Sequence, residues 1–106
     1  MVITLLNLLL AALLEVGGDA AIRHGLLHSR WTWPLLGASA LVAYGVVVNT
    51  NTTVDFGRLM GVYIAVFFLV SQVIGIVVFG ERPAATLVLG GAMIVAGGAV
   101  VQLGMR

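Results

Sequence analysis

The chain contains no cysteine. Disulfides, thiol catalysis and thiolate metal sites are therefore excluded, and the redox compartment cannot be inferred. Lysine is also absent, and charged residues make up only 8% of the 106 positions, against about 25% in soluble domains. The five arginines and four acids leave a net charge of +1 and are scattered singly. There is no basic patch for nucleic acid and no acidic tail for solvation. No Ser/His/acid arrangement sits on a recognisable nucleophile turn. Together with the missing Cys and Lys, this makes an enzyme the least favoured class. The two histidines, His24 and His28, stand four residues apart, a spacing that can hold a metal. No third ligand is evident, so they are expected to be interfacial residues, with no metal or cofactor.

Apolar residues dominate what is present: 61% of the chain is hydrophobic and the mean hydropathy is +1.18. That composition belongs to an integral membrane protein. A chain of 106 residues accommodates about four spans of roughly 20 residues each, with short connections and no room for a separate soluble domain. Four apolar blocks are read at about 2–22, 33–48, 59–79 and 84–103. The first is kept as a mature span, because no positive region precedes it and no small-x-small cleavage site follows. Trp31, Trp33 and Pro34 open the second block as an interfacial anchor and helix start. Asn49 to Asp55, "NTNTTVD", breaks the pattern and caps the third helix near Asp55. "GERP" at 80–83 stops that helix and starts the next. The expected fold class is all-α: a single domain, a four-transmembrane-helix bundle with both termini on one side. Arg58 and Arg106 fall on that side, Arg30 and Arg82 on the other, and Arg23 near a helix end. This near-balance predicts insertion in both orientations, or orientation by a partner chain.

One stretch conflicts with a lipid environment. "AALLEVGGDAAIRHG" places Glu15, Asp19 and Arg23 at steps of four within the first span. A charged carboxylate near mid-membrane costs on the order of 3 kcal/mol, and such groups mark ion or substrate paths. Glu15 is therefore the candidate functional acid. Ala11, Ala12, Gly18 and Asp19 share its face and are small or polar. The plainer alternative is a protonated Glu15 hydrogen-bonded between helices, and the same role suits Asn7. Asp19 either pairs with Arg23, which snorkels to the headgroups, or shares ligand and protons with Glu15 about 6 Å away.

In the fourth block Gly90, Gly97 and Gly104 recur every seven residues, with Gly91 and Gly98 alongside. Small residues so spaced let helix backbones approach closely where lipid supplies no hydrophobic push. That face is the expected dimer interface, because a chain of four helices has little interior of its own to enclose a site.

In order and spacing these segments resemble the small multidrug resistance family of four-helix proton-coupled exporters, within the drug/metabolite transporter superfamily. The motifs are "ALLEVGGD", "WPLLG", "FGRLMGVYIAV", "FGERP" and "LGGAMIVAGGAVV"; singly they are weak, and the resemblance covers nearly the whole chain. It implies that Glu15 binds proton and substrate in competition. It also implies a pocket lined by Ala11, Ala12, Gly18, Asp19, Tyr44, Phe56, Leu59 and Tyr63. The chain differs from the family pattern in having Leu59 in place of a third-helix tryptophan, Phe56 for a tyrosine and Asp19 for a small hydroxyl residue. These differences thin the aromatic platform. They favour a narrower polar cation, a heteromeric member or a neighbouring four-helix branch.

Two function classes remain open from sequence. One is a secondary transporter of the cell inner (plasma) membrane, exporting small organic cations against protons by alternating access. It would act as an antiparallel homodimer or with a paralogous small membrane subunit. The other is a non-transporting membrane subunit that binds another membrane protein or lipid through helix–helix hydrogen bonds.

Overall fold

The computed structural model describes residues 2–104; Arg106, counted above for topology, lies outside them. The described residues are all-helical, with no strands: α1 Val2–Leu27, α2 Thr32–Asn49, α3 Phe56–Phe79 and α4 Ala85–Leu103. All 4 are long and apolar enough to cross a membrane. The chain divides into two compact units at Thr50–Asn51. Each is a helical hairpin, α1 on α2 and α3 on α4.

In the first hairpin, α1 runs five residues beyond the apolar block that ends at Ile22. Arg and Leu are good helix formers, and the less favourable Gly25 sits where a Cβ would meet Pro34 and the Arg30 carbonyl, so the helix continues where the hydropathy pattern stops. His28 donates its N–H to the His24 carbonyl at 3.1 Å and Arg30 to that of Gly25 at 2.9 Å. Ser29 takes a left-handed φ of 54° to turn the chain. Pro34 lies in the first turn of α2, where a helix's N–H groups have no intrahelical partner to lose. The two helices cross at glycine. A Cβ on Gly18 would lie 2.8 Å from the Gly37 carbonyl oxygen, and a Cβ on Gly37 would strike the Gly18 carbonyl in turn. At the other end of the hairpin Asn7 Nδ2 donates to Thr50 Oγ1 at 3.3 Å. Thr50 in turn donates its hydroxyl to the Val47 carbonyl at 2.7 Å.

In the second hairpin, α3 starts at Phe56 with Asp55 as its N-cap residue, where the turn-forming run placed the helix start and three residues before the apolar block read from 59. The Asp55 carboxylate caps no backbone N–H and instead lies 3.9 Å from Arg58 Nε. Gly80, at φ 65°, ends α3 in the left-handed conformation that glycine adopts without steric cost. The helices pack by fitting glycines of α4 onto side chains of α3: Gly91 lies against Phe68 and Gly98 against Ala65. Arg58 Nη1 closes the end, donating to the Gly104 carbonyl at 2.9 Å.

Candidate functional site

The extension of α1 to Leu27 alters the setting of the acid. Glu15 stands at the midpoint of a 26-residue helix, whereas the apolar block alone had put it past the middle. At 1.5 Å per residue it lies about 20 Å from either end of the helix. It is half-buried and follows Leu8, Ala11 and Ala12, each 0% exposed, at helical spacing. Tyr44 of α2, also half-buried, is within electrostatic reach of the Glu15 carboxylate. The first hairpin therefore places a carboxylate at the middle of α1 and a phenol in the second half of α2 within range of its charge. The phenol can donate a hydrogen bond to a carboxylate or accept one from a carboxylic acid, so it can serve either protonation state.

Other candidate residues are placed unequally. Gly18 is buried in the crossing with Gly37, where Leu41 Cγ would stand 3.1 Å from an added Cβ. Ala11 and Ala12 are packed as tightly. Gly17, which the sequence pattern did not single out, has nothing within 4 Å of a Cβ position. Two residues on from Glu15, it points to the other side of the helix and opens no space beside the acid. Asp19 is exposed, one turn from Glu15. In the second hairpin Leu59 and Tyr63 are buried at 2% and 4% exposure, whereas Phe56 is 68% exposed. The Tyr63 ring lies 6.1 Å from that of Phe67. Gly90 and Gly97 face open space, and Gly104 caps the end of α4.

The comparisons agree with this architecture. The model of the family described as "Uncharacterised BCR, YnfA/UPF0060 family" matches residues 1–106. The chain belongs to the UPF0060 family. Among its relatives, a UPF0060 membrane protein of Mycobacterium sp. (strain KMS) is 43% identical over 75 residues, 70% of this chain and 66% of the relative. In that match the chain spans just under two thirds of the relative's length. A UPF0060 membrane protein of Rhodococcus erythropolis is 37% identical, covering 76% of this chain and 75% of its own. Another, from Mycobacterium tuberculosis (strain F11), is 34% identical over 104 residues, 97% of this chain and 94% of its own. No solved structure matches the chain. With relatives named as membrane proteins and 4 helices of spanning length, this UPF0060 chain is a multi-pass membrane protein.

Proposed function

We propose that this protein is a proton-coupled secondary transporter of the cell inner membrane, exporting small organic cations by alternating access. In this respect it functions like the small multidrug resistance exporters its motifs resemble. One observation carries the proposal: a half-buried carboxylate at the midpoint of a spanning helix, with a phenol within its electrostatic reach. Such a group is costly in lipid unless it meets a proton or a cation, and it can meet either but not both at once. Each arriving cation then displaces a proton, and each proton releases a cation to the other side.

The working unit is a dimer whose α4 helices meet through Gly90, Gly97 and Gly104. Gly91 and Gly98, by contrast, are taken up by α3 of the same hairpin. An antiparallel pair supplies the inverted repeats that alternating access uses, and the balanced arginines favour it over a fixed orientation. A paralogous subunit would serve the same geometry.

The test is cation binding by purified protein between about pH 5 and 9, with proton release measured in parallel. Binding is expected to weaken as pH falls and to release protons. Glu15→Gln, which keeps the shape and removes titration, is expected to abolish both the proton release and exchange in vesicles. Binding that ignores pH and survives Glu15→Gln would overturn the proposal. It would leave a membrane subunit in which Glu15 only joins helices.

A further inference from the structure

The turn between α1 and α2 has a held shape and an unused cation. The Arg30 N–H donates to the Gly25 carbonyl at 2.9 Å across it, and His28 Nδ1 lies 2.9 Å from the His24 carbonyl oxygen. Trp33, in the first turn of α2, meets the His24 ring at 5.0 Å with the planes at 77°. These contacts leave a cleft of about 170 Å³ bordered by Gly25, Leu26, Ser29, Arg30, Trp31 and Pro34. That is smaller than the roughly 300 Å³ at which pockets for drug-sized ligands begin. Among the described residues the Arg30 guanidinium makes no ion pair or hydrogen bond. Because α1 and α2 are both of spanning length, the turn that joins them lies at the membrane surface. Leu26 and Trp31 are exposed there, as side chains at headgroup level are. The charge around the cleft has one sign: Arg23 and Arg30 are close in the chain, and neither the last two turns of α1 nor any part of α2 holds an Asp or Glu.

We propose that this cleft binds the headgroup of an anionic phospholipid, with Arg30 and Ser29 on the phosphate and Leu26, Trp31 and Pro34 against the glycerol and first acyl carbons. The planar fork of an arginine matches two phosphate oxygens at once, and the Ser29 hydroxyl can donate to a third. An indole suits a position with one apolar side and one wet side. A zwitterionic lipid carries the same phosphate, but its ammonium finds no carboxylate at this turn and meets Arg23 and Arg30 instead. Selection for a net negative headgroup therefore follows from the missing acids, since each arginine near the surface favours anionic lipid. The site stands apart from Glu15, and neither needs the other.

The test uses the full chain with Trp33→Phe, which leaves Trp31 as the single tryptophan, since the chain has only two. The protein is placed in vesicles of phosphatidylcholine with rising fractions of phosphatidylglycerol, one of the two lipids brominated in its acyl chains. Bromine quenches an adjacent indole, so the quenching curve gives the relative affinity of the two lipids beside Trp31. Phosphatidylglycerol is expected to be preferred about fivefold, the effect of one arginine at a membrane surface. Arg30→Gln, at an exposed position, should bring the ratio close to one with an unchanged helical circular dichroism spectrum. Arg82→Gln removes the same charge from the other hairpin and should leave the ratio as it was. A ratio near one with Arg30 in place, a preference that survives Arg30→Gln, or an equal loss with Arg82→Gln would overturn the site. Trp31 emission that neither brominated lipid quenches would overturn it too, by showing that protein covers the cleft. Glu15→Gln should leave the lipid preference intact, so failure of the exchange mechanism does not decide this one.

Discussion

The two hairpins solve the same packing problem with opposite materials. In α1–α2 the backbones themselves touch, Gly18 against Gly37, and the hairpin carries Glu15, Asp19, Arg23 and His24 on α1 and His28 in the turn. In α3–α4 the glycines of one helix receive side chains of the other, Phe68 and Ala65. There Arg58 is the single charged residue within either helix. An apolar groove of about 530 Å³ runs along this second hairpin, bordered by Phe68, Gln72, Leu87 and Val95 among others. The contrast separates chemistry from association. Backbone-to-backbone contact holds the titratable groups of the first hairpin at defined positions without depending on side-chain fit. The second hairpin leaves Gly90 and Gly97 of α4 facing open space, on the face proposed above as the dimer interface.

The largest effect should come from filling the backbone contact. A Cβ at Gly37 would meet the Gly18 carbonyl and approach Ile22 Cγ1 to 2.6 Å. Backbone cannot yield as a side chain does, so Gly37→Leu should destabilise the protein by ~3 kcal/mol or more, the upper end of overpacking costs. Gly17→Ala, one residue from the crossing with nothing within 4 Å, should instead be neutral or stabilising by up to ~1 kcal/mol. Denaturation in mild detergent, followed by circular dichroism, measures both. Equal destabilisation would show that the Gly18–Gly37 contact does not organise this hairpin.

Next is the division of labour on α4. If α4 is the dimer interface proposed above, Gly97→Leu should shift the protein to monomer in detergent and in bilayers while the helical spectrum stays unchanged. Gly98→Leu should damage the fold itself, because its Cβ would collide with Ala65. An unchanged oligomer with Gly97→Leu would remove α4 as the interface.

These adjacent glycines also show how far sequence alone could reach. Composition and apolar run length were enough for four spans, since both act locally and lipid enforces them. The cost of charge in hydrocarbon was enough to single out Glu15. Which glycine faced which neighbour was not legible, because Gly90 and Gly91, or Gly17 and Gly18, are chemically identical and differ only in how each helix is rotated. The end of α1 was missed for a related reason: hydropathy reports where lipid ends, and a helix need not end there. The Tyr44 phenol near Glu15 depends on the register of α2 against α1, which the Gly18–Gly37 crossing sets. The His24–Trp33 contact depends on the tight turn at Ser29, for which the sequence carries no strong signal.

A smaller effect is expected on orientation. Reporter fusions at the C-terminus should read from both faces of the membrane, and two arginines added to the 80–84 loop should bias them to one. A single orientation in the unmodified chain would favour a heteromer over a self-sufficient antiparallel pair.

The smallest effect concerns Arg58, where two contacts compete for one side chain. The ion pair with Asp55 is long, at 3.9 Å, and both side chains are exposed, at 58% and 84%. Water screens such a pair, and its contribution should be ~0–1 kcal/mol. The hydrogen bond to the Gly104 carbonyl is shorter, at 2.9 Å, and joins the start of α3 to the end of α4. It also satisfies a carbonyl in the last turn, where helices have none of their own donors to offer, and it puts positive charge at the negative end of the helix dipole. Asp55→Asn should therefore leave stability unchanged within error, whereas Arg58→Ala should cost up to ~1 kcal/mol. Raising the salt concentration should reduce the Arg58→Ala deficit only slightly, because a hydrogen bond is screened less than an exposed ion pair. Equal losses from the two substitutions, both vanishing in high salt, would assign the role to the ion pair and leave the end of the second hairpin without its clasp.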